Sequence, residues 1–375
     1  MSALRIEPVR KPSQVEAFIR FPFDLYRNYK HWVPPLLSER RAFLDLKKNP
    51  VFEYAIVQPM LALRGRTVVG TIAAVRNDRY AQFHPEEQGM GFFGLYEAVD
   101  DRAVSEALLG AAGDWLRAHG LRTMRGPVNL TTNDVLGLLV EGFDDDPALL
   151  MPYNPPYYAA QMERHGLVKA KDLFALDVAD KDSQGRLDGI VEKLLARGSC
   201  TIRSVNLSRF REELEFVRRC YNEAWAGNWG FVPWTDRELE FMAKEFKPVL
   251  DPRLAFVGEV GGEPAAIMIG VPDANQALKL AHGRLLPFGL LRILWKLKVE
   301  GCTRLRVFAL GTLPKYRRLG LDAILIQRTI RNAIAQGIRH AEVGWILEDN
   351  HSMLRPLQRI GARRTKVYRI YDKAL

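Results

Sequence analysis

The sequence predicts an α/β fold of two tandem domains, each with a mixed central sheet flanked by helices. An internal repeat relates the two halves of the chain, and in the second half a turn joins an extended apolar run, Leu305–Leu310, to a helical run, Ala323–Ala335. The spacing of the apolar residues marks the first run as a strand and the second as a helix. With 375 residues, of which 47% are hydrophobic, the chain can bury two cores.

The repeat consists of short segments that occur in the same order in both halves of the chain. Gly120–Val128 matches Gly337–Trp345, and Asn154–Tyr157 matches Asn350–Met353. The offset between the halves is about 217 residues for the first pair and about 196 for the second. Because only two copies occur, the pattern indicates a tandem pair of domains rather than a solenoid.

The first domain is predicted at residues 1–180 and the second at residues 186–375. A polar stretch at 180–185 lies between two periodic segments, as expected of a linker. An insertion at 129–150 in the first half accounts for the change of offset. The repeat therefore predicts equivalent elements in both domains.

The segment Tyr316–Asp322 is predicted to form an anion-binding turn. It joins a strand to the N-terminus of a helix, where main-chain N–H groups and the helix dipole favour negative charge. Gly320 lets a phosphate approach the main chain, and Arg317 and Arg318 add two positive charges. Such a turn suits a pyrophosphate.

The pattern Arg317-x-x-Gly320-x-Asp322 resembles the acetyl-CoA signature of the GCN5-related N-acetyltransferase (GNAT) superfamily. The following order of elements is also similar: a strand, Asn350, a short helix that ends near Gly361, and a closing strand with tyrosines. Two positions depart from the family pattern. Asp322 replaces a small residue, and Leu357 stands where the family often has a tyrosine that protonates the leaving thiolate.

The resemblance implies that acetyl-CoA or a longer acyl-CoA is the co-substrate and that the second half binds it. In the family, main-chain groups at the end of the strand hold the thioester, the turn holds the pyrophosphate, and the asparagine side chain holds the pantetheine arm. The corresponding residues here are Leu310, Thr312, Leu313, Arg317, Arg318, Leu319, Gly320, Leu321, Asp322 and Asn350.

Acyl transfer to an amine needs a base, a stabilised oxyanion and a proton for the leaving thiolate. Glu342 on the next predicted strand is the nearest candidate base, and Glu348 at the end of that strand is the second. Glu342 could equally form an ion pair with a strand arginine. Tyr371 could supply the missing acid, or it could be a core aromatic residue.

The first half lacks the phosphate turn. Its predicted strand, Met90–Ala98, leads into a turn with Asp100 and Asp101 and with no glycine. These carboxylates favour a helix start but repel an anion. We therefore expect the first domain to have a degenerate cofactor turn and to help form the acceptor site.

A second insertion, in the second half, contains the basic amphipathic stretch Leu285–Val299. Leu290, Leu291, Leu294, Trp295 and Leu297 form an apolar face, with arginine and lysine residues among them. Such a face suits a membrane interface or a lid over an acyl chain. The alternative is a helix that packs its leucines on the first domain.

Composition limits the partners and the location that we expect for the protein. The net charge of +10 fits anionic partners, and the three cysteines have neither metal spacing nor disulfide density. We expect no metal and no nucleic-acid partner. Without a signal core or an apolar run long enough to span a membrane, we expect a cytoplasmic protein with peripheral contact to the inner membrane face.

Two segments, His340–His351 and Lys366–Asp372, are similar to bacterial tandem acyltransferases that include the bacterial ceramide synthases. The resemblance implies an acyl-CoA-dependent N-acyltransferase whose acceptor is a primary amine, such as a sphingoid base or another amino-lipid. Two alternatives remain open at this point. One is a Fem-type transferase that uses aminoacyl-tRNA, and the other is a non-catalytic GNAT-like binding module.

Overall fold

A parallel strand–helix–strand unit occurs twice in the computed structural model, once in each half of the chain. The structure describes residues Ala3–Leu375, apart from the side chain of Glu245. It contains the following strands: β1 Leu4–Pro8, β2 Ala55–Arg64, β3 Thr67–Asn77, β4 Met90–Ala98, β5 Thr123–Gly126, β6 Leu138–Glu141, β7 Val168–Ala179, β8 Cys200–Ser204, β9 Ala255–Val260, β10 Glu263–Pro272, β11 Arg304–Thr312, β12 His340–Leu347 and β13 Arg363–Ala374.

Helices connect these strands. They are α1 Pro12–Leu25, α2 Leu37–Phe43, α3 Asp78–Phe83, α4 Arg102–Ala118, α5 Tyr158–Arg164, α6 Asp180–Ser183, α7 Asp188–Leu195, α8 Phe210–Ala224, α9 Asp236–Phe246, α10 Asn275–Ala281, α11 Gly289–Trp295, α12 Leu321–Ala335 and α13 His351–Arg359. The prediction of an α/β fold is therefore confirmed.

The chain divides into two compact units. Unit 1 comprises the chain up to Leu173 together with Ala281–Gly289 and Lys366–Leu375, and unit 2 comprises Phe174–Leu280 and Leu290–Thr365. The sequence predicted a simpler division, with everything beyond residue 186 in the second domain. The C-terminal residues instead belong to unit 1, because the end of β13 pairs with strands of the first half.

In unit 1 the strand order is β1-β2-β3-β4-β5-β13-β7, and β6 also pairs with β13. Neighbours from β1 to β4 are antiparallel, whereas β4 and β5 are parallel and are joined through α4. Leucines 108, 109 and 116 of α4 are fully buried in the core of this unit. The insertion at 129–150 supplies β6.

In unit 2 the strand order is β8-β9-β10-β11-β12-β7. Here β11 and β12 are the parallel pair, and α12 joins them. Leu321, Ile324 and Leu325 of α12 pack on the sheet and are buried. Residues 180–185, the predicted linker, lie in unit 2 and include the short helix α6.

The stretch predicted as one amphipathic helix over 285–299 begins later than predicted. Helix α11 starts at Gly289, and a π-helical turn, Lys296–Glu300, continues it. Pro287 explains the later start, since proline lacks an N–H donor and disfavours a helical conformation at the residue before it.

Candidate active site

The turn between β11 and α12 has the conformation that an anion cradle needs. Gly320 is the N-cap of α12, with a left-handed backbone at φ +78°. A Cβ atom at this position would also lie 2.6 Å from Leu194 Cδ1 of α7. Glycine is therefore required both by the backbone angle and by close packing, and no side chain caps the first N–H groups of the helix.

The charged side chains of this turn are exposed to solvent. Arg317 donates from Nη2 to the Ala224 carbonyl oxygen at 3.1 Å, and Arg318 has a left-handed backbone at φ +74°. Asp322 is exposed in the first turn of the helix. The side chain of Leu321 is buried in the core, so of this residue only the main chain can face a ligand.

The end of β11 has a free edge next to β12. Within the described residues, the two strands pair from Arg304 opposite His340 only as far as Val307 opposite Val343. Further along, the Leu313 N–H donates to Ala265 of β10 at 2.9 Å. Because the amides of a strand alternate in direction, those of Leu310 and Thr312 point to the opposite side, toward β12. Their N–H groups therefore lie outside the β10–β11 ladder.

Gly311, between these two residues, allows a close approach. A Cβ atom at this position would lie 2.3 Å from the Trp225 ring. The Gly311 carbonyl oxygen accepts from the Cys220 thiol at 3.5 Å. Only glycine fits this position without displacing the ring. The neighbour is an aromatic side chain of the same unit.

Asn350 is the N-cap of α13. Its side-chain oxygen accepts from the Met353 N–H at 3.2 Å and from the Ser352 hydroxyl at 2.7 Å. These bonds hold the side chain at the end of β12. The amide nitrogen of Asn350, which is a donor, takes no part in either bond.

Two of the three predicted catalytic residues lie in unit 2. Glu342 is on β12, directly opposite Arg306 in the ladder, and both side chains are almost completely buried. Opposite charges at paired positions attract each other, so this arrangement also suits an ion pair. Glu348 is half-buried in the turn that follows β12.

Tyr371, the third candidate, belongs to unit 1. It lies on β13 opposite Gly126 and is buried in the unit 1 core. Burial raises the pKa of its hydroxyl to about 12. Its role as the acid remains a prediction.

The equivalent turn in unit 1 is closed by its own side chains. Asp101 accepts from the N–H groups of Ala103 at 2.9 Å and Val104 at 3.4 Å, and it pairs with Arg64 at 2.8 Å. The Arg64 hydrogen bond lowers the pKa of Asp101. The strand edge is occupied as well, since the Val128 N–H donates to Phe93 at 2.7 Å.

Sequence reasoning missed a carboxylate in unit 1. Glu97 lies near the end of β4 and lines a cavity of ≈ 160 Å³. The signal in the sequence was a single acidic residue within an otherwise apolar and aromatic strand.

In the described residues, no cluster of His, Cys, Asp or Glu side chains could hold a metal ion, and no helix is both long and apolar enough to cross a membrane.

Comparison with curated proteins gives a full-length match. The chain is 37% identical over 379 residues to the bacterial ceramide synthase of Caulobacter vibrioides (strain NA1000 / CB15N), covering 99% of this chain and 98% of the relative. The chain belongs to the bacterial ceramide synthase family. The chain is also similar to Protein YghO of Escherichia coli (strain K12), with 37% identity over 371 residues, covering 97% of this chain and 93% of the relative. No family model matches the chain.

Solved structures show the same fold in more distant proteins. A tandem GNAT protein from the clavulanic acid biosynthesis pathway has a TM-score of 0.56 at 12% identity, covering 99% of this chain and 98% of its own. A GCN5-related N-acetyltransferase from Sphaerobacter thermophilus has a TM-score of 0.52 at 13% identity, covering 99% and 95%. The prediction of a tandem GNAT fold is confirmed, and this ceramide synthase family member is an N-acyltransferase.

Proposed function

We propose that the chain transfers the acyl group of an acyl-CoA to the primary amine of a lipid acceptor. One observation carries the proposal: α12 begins at a bare glycine beside two exposed arginines, whereas the equivalent α4 is capped by Asp101. Only the first of these helix starts suits a pyrophosphate. The relative named as a ceramide synthase supports an amino-lipid acceptor such as a sphingoid base.

The reaction forms an amide bond and breaks a thioester. The neutral amine nitrogen attacks the thioester carbonyl carbon, the C–S bond breaks, and the thiolate leaves with the proton that the amine gives up. The N–H groups of Leu310 and Thr312 would stabilise the oxyanion, and the Asn350 amide would hold the pantetheine arm. Glu342, or Glu348 as the second candidate, would accept the proton from the amine.

The turn can be tested without disturbing Gly320, where any side chain meets Leu194. We expect the double change Arg317→Gln and Arg318→Asn to weaken acyl-CoA binding at least about tenfold, because each lost charge-assisted hydrogen bond contributes about 1.5–3 kcal/mol. Asparagine tolerates the left-handed backbone at this position. Isothermal titration calorimetry measures the change.

The matched control is Arg328→Gln, which removes an exposed charge from the same helix away from its N-terminus. It should leave the acyl-CoA affinity unchanged. Equal affinities in the wild type and the double variant would contradict the proposed site. Loss of affinity in the control as well would show a general charge effect instead.

We also propose that the face of Leu290–Val299 contacts an anionic lipid surface. The side chains of Leu291, Trp295 and Val299 are exposed by 62%, 63% and 62%, which is unusual for large apolar groups. Arg292 and Lys298 are exposed in the same stretch. Apolar residues interleaved with cations complement a lipid surface that combines acyl chains with negative head groups.

A further inference from the structure

Unit 1 contains a cavity that the site in unit 2 does not use. Its volume is ≈ 160 Å³, and its wall is largely apolar. The side chains that form this wall include Phe18, Phe23, Trp32, Phe43, Leu44 and Leu138. A cavity of roughly 150 Å³ holds a molecule of the size of benzene, so there is room for a small head group and several carbon atoms.

Glu97 is the carboxylate in this wall. The hydroxyl groups of Tyr26 and Tyr158 donate to the same oxygen, Oε2, at 2.7 and 2.8 Å. Tyr158 is itself fixed, because its oxygen accepts from the Ala98 N–H at 2.7 Å. Helices α1 and α5 and strand β4 thus hold the carboxylate in one orientation, and neither hydroxyl binds its other oxygen, Oε1.

A carboxylate in an apolar wall is costly to ionise unless a cation accompanies it. Burial raises the pKa of Glu97 to about 7, although the two tyrosine hydroxyls lower it. Arg40 is the cation in the cavity wall. Its guanidinium donates hydrogen bonds to the neighbouring Glu39, from Nε at 2.9 Å and from Nη2. Arg40 also lies over the Phe43 ring, 4.6 Å from its centroid.

We propose that this cavity binds the ammonium group of an amphiphilic primary amine, with Glu97 as its counter-charge and the aromatic wall around its first carbon atoms. The choice of an amine as the ligand rests on the proposed function. The position of the site rests on the cavity and on the fixed carboxylate. The cavity would therefore be an amine-binding site within unit 1.

The test uses the full-length protein with n-octylamine and n-octanol, which have the same chain but differ in charge. We expect the wild type to bind the amine at least about tenfold more tightly than the alcohol, as one charge-assisted pair predicts. In Glu97→Gln the shape and the tyrosine bonds can remain, and the preference should fall to about one. Calorimetry or the fluorescence of Trp32, which lines the cavity, measures both ligands.

The matched control is Glu106→Gln, which removes an exposed carboxylate from α4 of the same unit. It should keep the preference for the amine. A preference that survives in Glu97→Gln, or that is absent from the wild type, would overturn the inference. Acyl-CoA affinity should be unchanged in Glu97→Gln, so failure of amine binding and failure of acyl-CoA binding are separate outcomes.

The pH dependence gives an independent readout. Because Glu97 ionises near pH 7, amine binding should weaken about tenfold from about pH 8 to about pH 6, and Glu97→Gln should show no such change. The other ionisable groups that face this carboxylate or line the cavity are Arg40 and the tyrosines at 26, 96, 153, 157 and 158. Each of these tyrosines has a raised pKa, and arginine stays charged, so none titrates in this range.

Discussion

At the residue scale, the starts of the two equivalent helices have opposite chemistry. The Asp101 carboxylate accepts from N–H groups in the first turn of α4, and Gly320 leaves the first turn of α12 without a side-chain cap. Only Asp101 satisfies N–H groups of its own helix, because an N-cap carboxylate takes the place that an anion could occupy at a glycine cap. A single position thus separates a helix start that is closed by its own side chain from one that has no side-chain cap.

Glu342 has two roles to be distinguished, proton acceptor and partner of Arg306. If Glu342 is the base, we expect Glu342→Gln to lower kcat by about 100-fold or more, because proton transfer contributes about 10²–10⁴ to the rate. The affinity for acyl-CoA should be kept. Steady-state kinetics with acyl-CoA and an amine, together with calorimetry of the donor, measures the two quantities.

The thermal midpoint of the same variant separates the roles. A buried arginine that loses its counter-charge destabilises a protein by several kcal/mol. Should the midpoint fall while kcat per folded molecule is unchanged, Glu342 has a structural role and not a catalytic one. Glu348→Gln is the companion variant, since Glu348 is only half-buried and its loss should cost little stability.

The sequence predicted the residues whose identity is dictated by the backbone conformation. Gly320 was predicted as the point of close approach in the turn, and the structure requires glycine there because of the left-handed backbone and the neighbouring Leu194. The role of Glu97 could not be predicted, because its tyrosine partners come from helices distant in the sequence. A carboxylate within a strand does not reveal that a cavity lies beside it.

At the element scale, α11 and the π-helical turn after it present an apolar surface to solvent. Helices on a protein surface normally bury such a face. The exposed fractions of Leu291 and Leu294 are 62% and 45%, although the same segment buries Gly289 against the Arg284 main chain. The leucines of this segment therefore face solvent.

We expect the double change Leu291→Glu and Leu294→Glu to reduce binding to vesicles of anionic lipid by at least about tenfold. Full burial of one leucine side chain in lipid contributes about 1.5–3 kcal/mol, and each glutamate also repels the anionic surface. Co-sedimentation with vesicles that contain phosphatidylserine measures the bound fraction.

Leu46→Glu is the control, because Leu46 is a leucine of unit 1 that is 73% exposed and lies outside this face. It should leave vesicle binding unchanged. Undiminished sedimentation of the double variant would reject the lipid contact.

Helices and strands with a regular spacing of apolar residues were predictable from the sequence. Elements whose ends are set by a turn or a proline were less predictable. The strand at Met90–Ala98 and the helix end at Ala335 agree with the structure to the residue. The start of α11 was misplaced because the apolar spacing continues through Pro287, which the backbone cannot follow as a helix. The predicted linker at 180–185 is polar and yet contains α6, with Ser183 bonded to the Ala179 carbonyl at 3.0 Å.

At the scale of the whole molecule, the C-terminal residues complete the sheet of unit 1. Arg125 of β5 is buried, and it donates to Asp372 of β13 and to Glu87, each at 2.8 Å. Burial disfavours its charged form, but the bonds to these carboxylates raise the pKa of Arg125 above its ordinary value. A buried ion pair thus connects β5 with β13.

We expect Asp372→Ala to destabilise unit 1 by about 3 kcal/mol, because breaking a buried pair leaves part of a charge uncompensated. Hydrogen exchange of the β5 amides measures the free energy of opening in this region. The control is Glu106→Ala, whose partner Arg102 is 74% exposed. That change should cost less than about 0.5 kcal/mol, and an equal loss in the two variants would contradict the importance of burial.

The pairing of β13 with β5 imposes an order on biosynthesis. Residues up to Leu173 leave the ribosome early, but their sheet lacks an inner strand until Lys366–Leu375 has also emerged. Residues Phe174–Leu280 and Leu290–Thr365 of unit 2 are translated in the meantime, and they can fold before the last strand of unit 1 has emerged. Unit 1 is therefore completed only when Lys366–Leu375 has emerged, and a nascent chain arrested before Lys366 presents an open β-edge to the cell's chaperones.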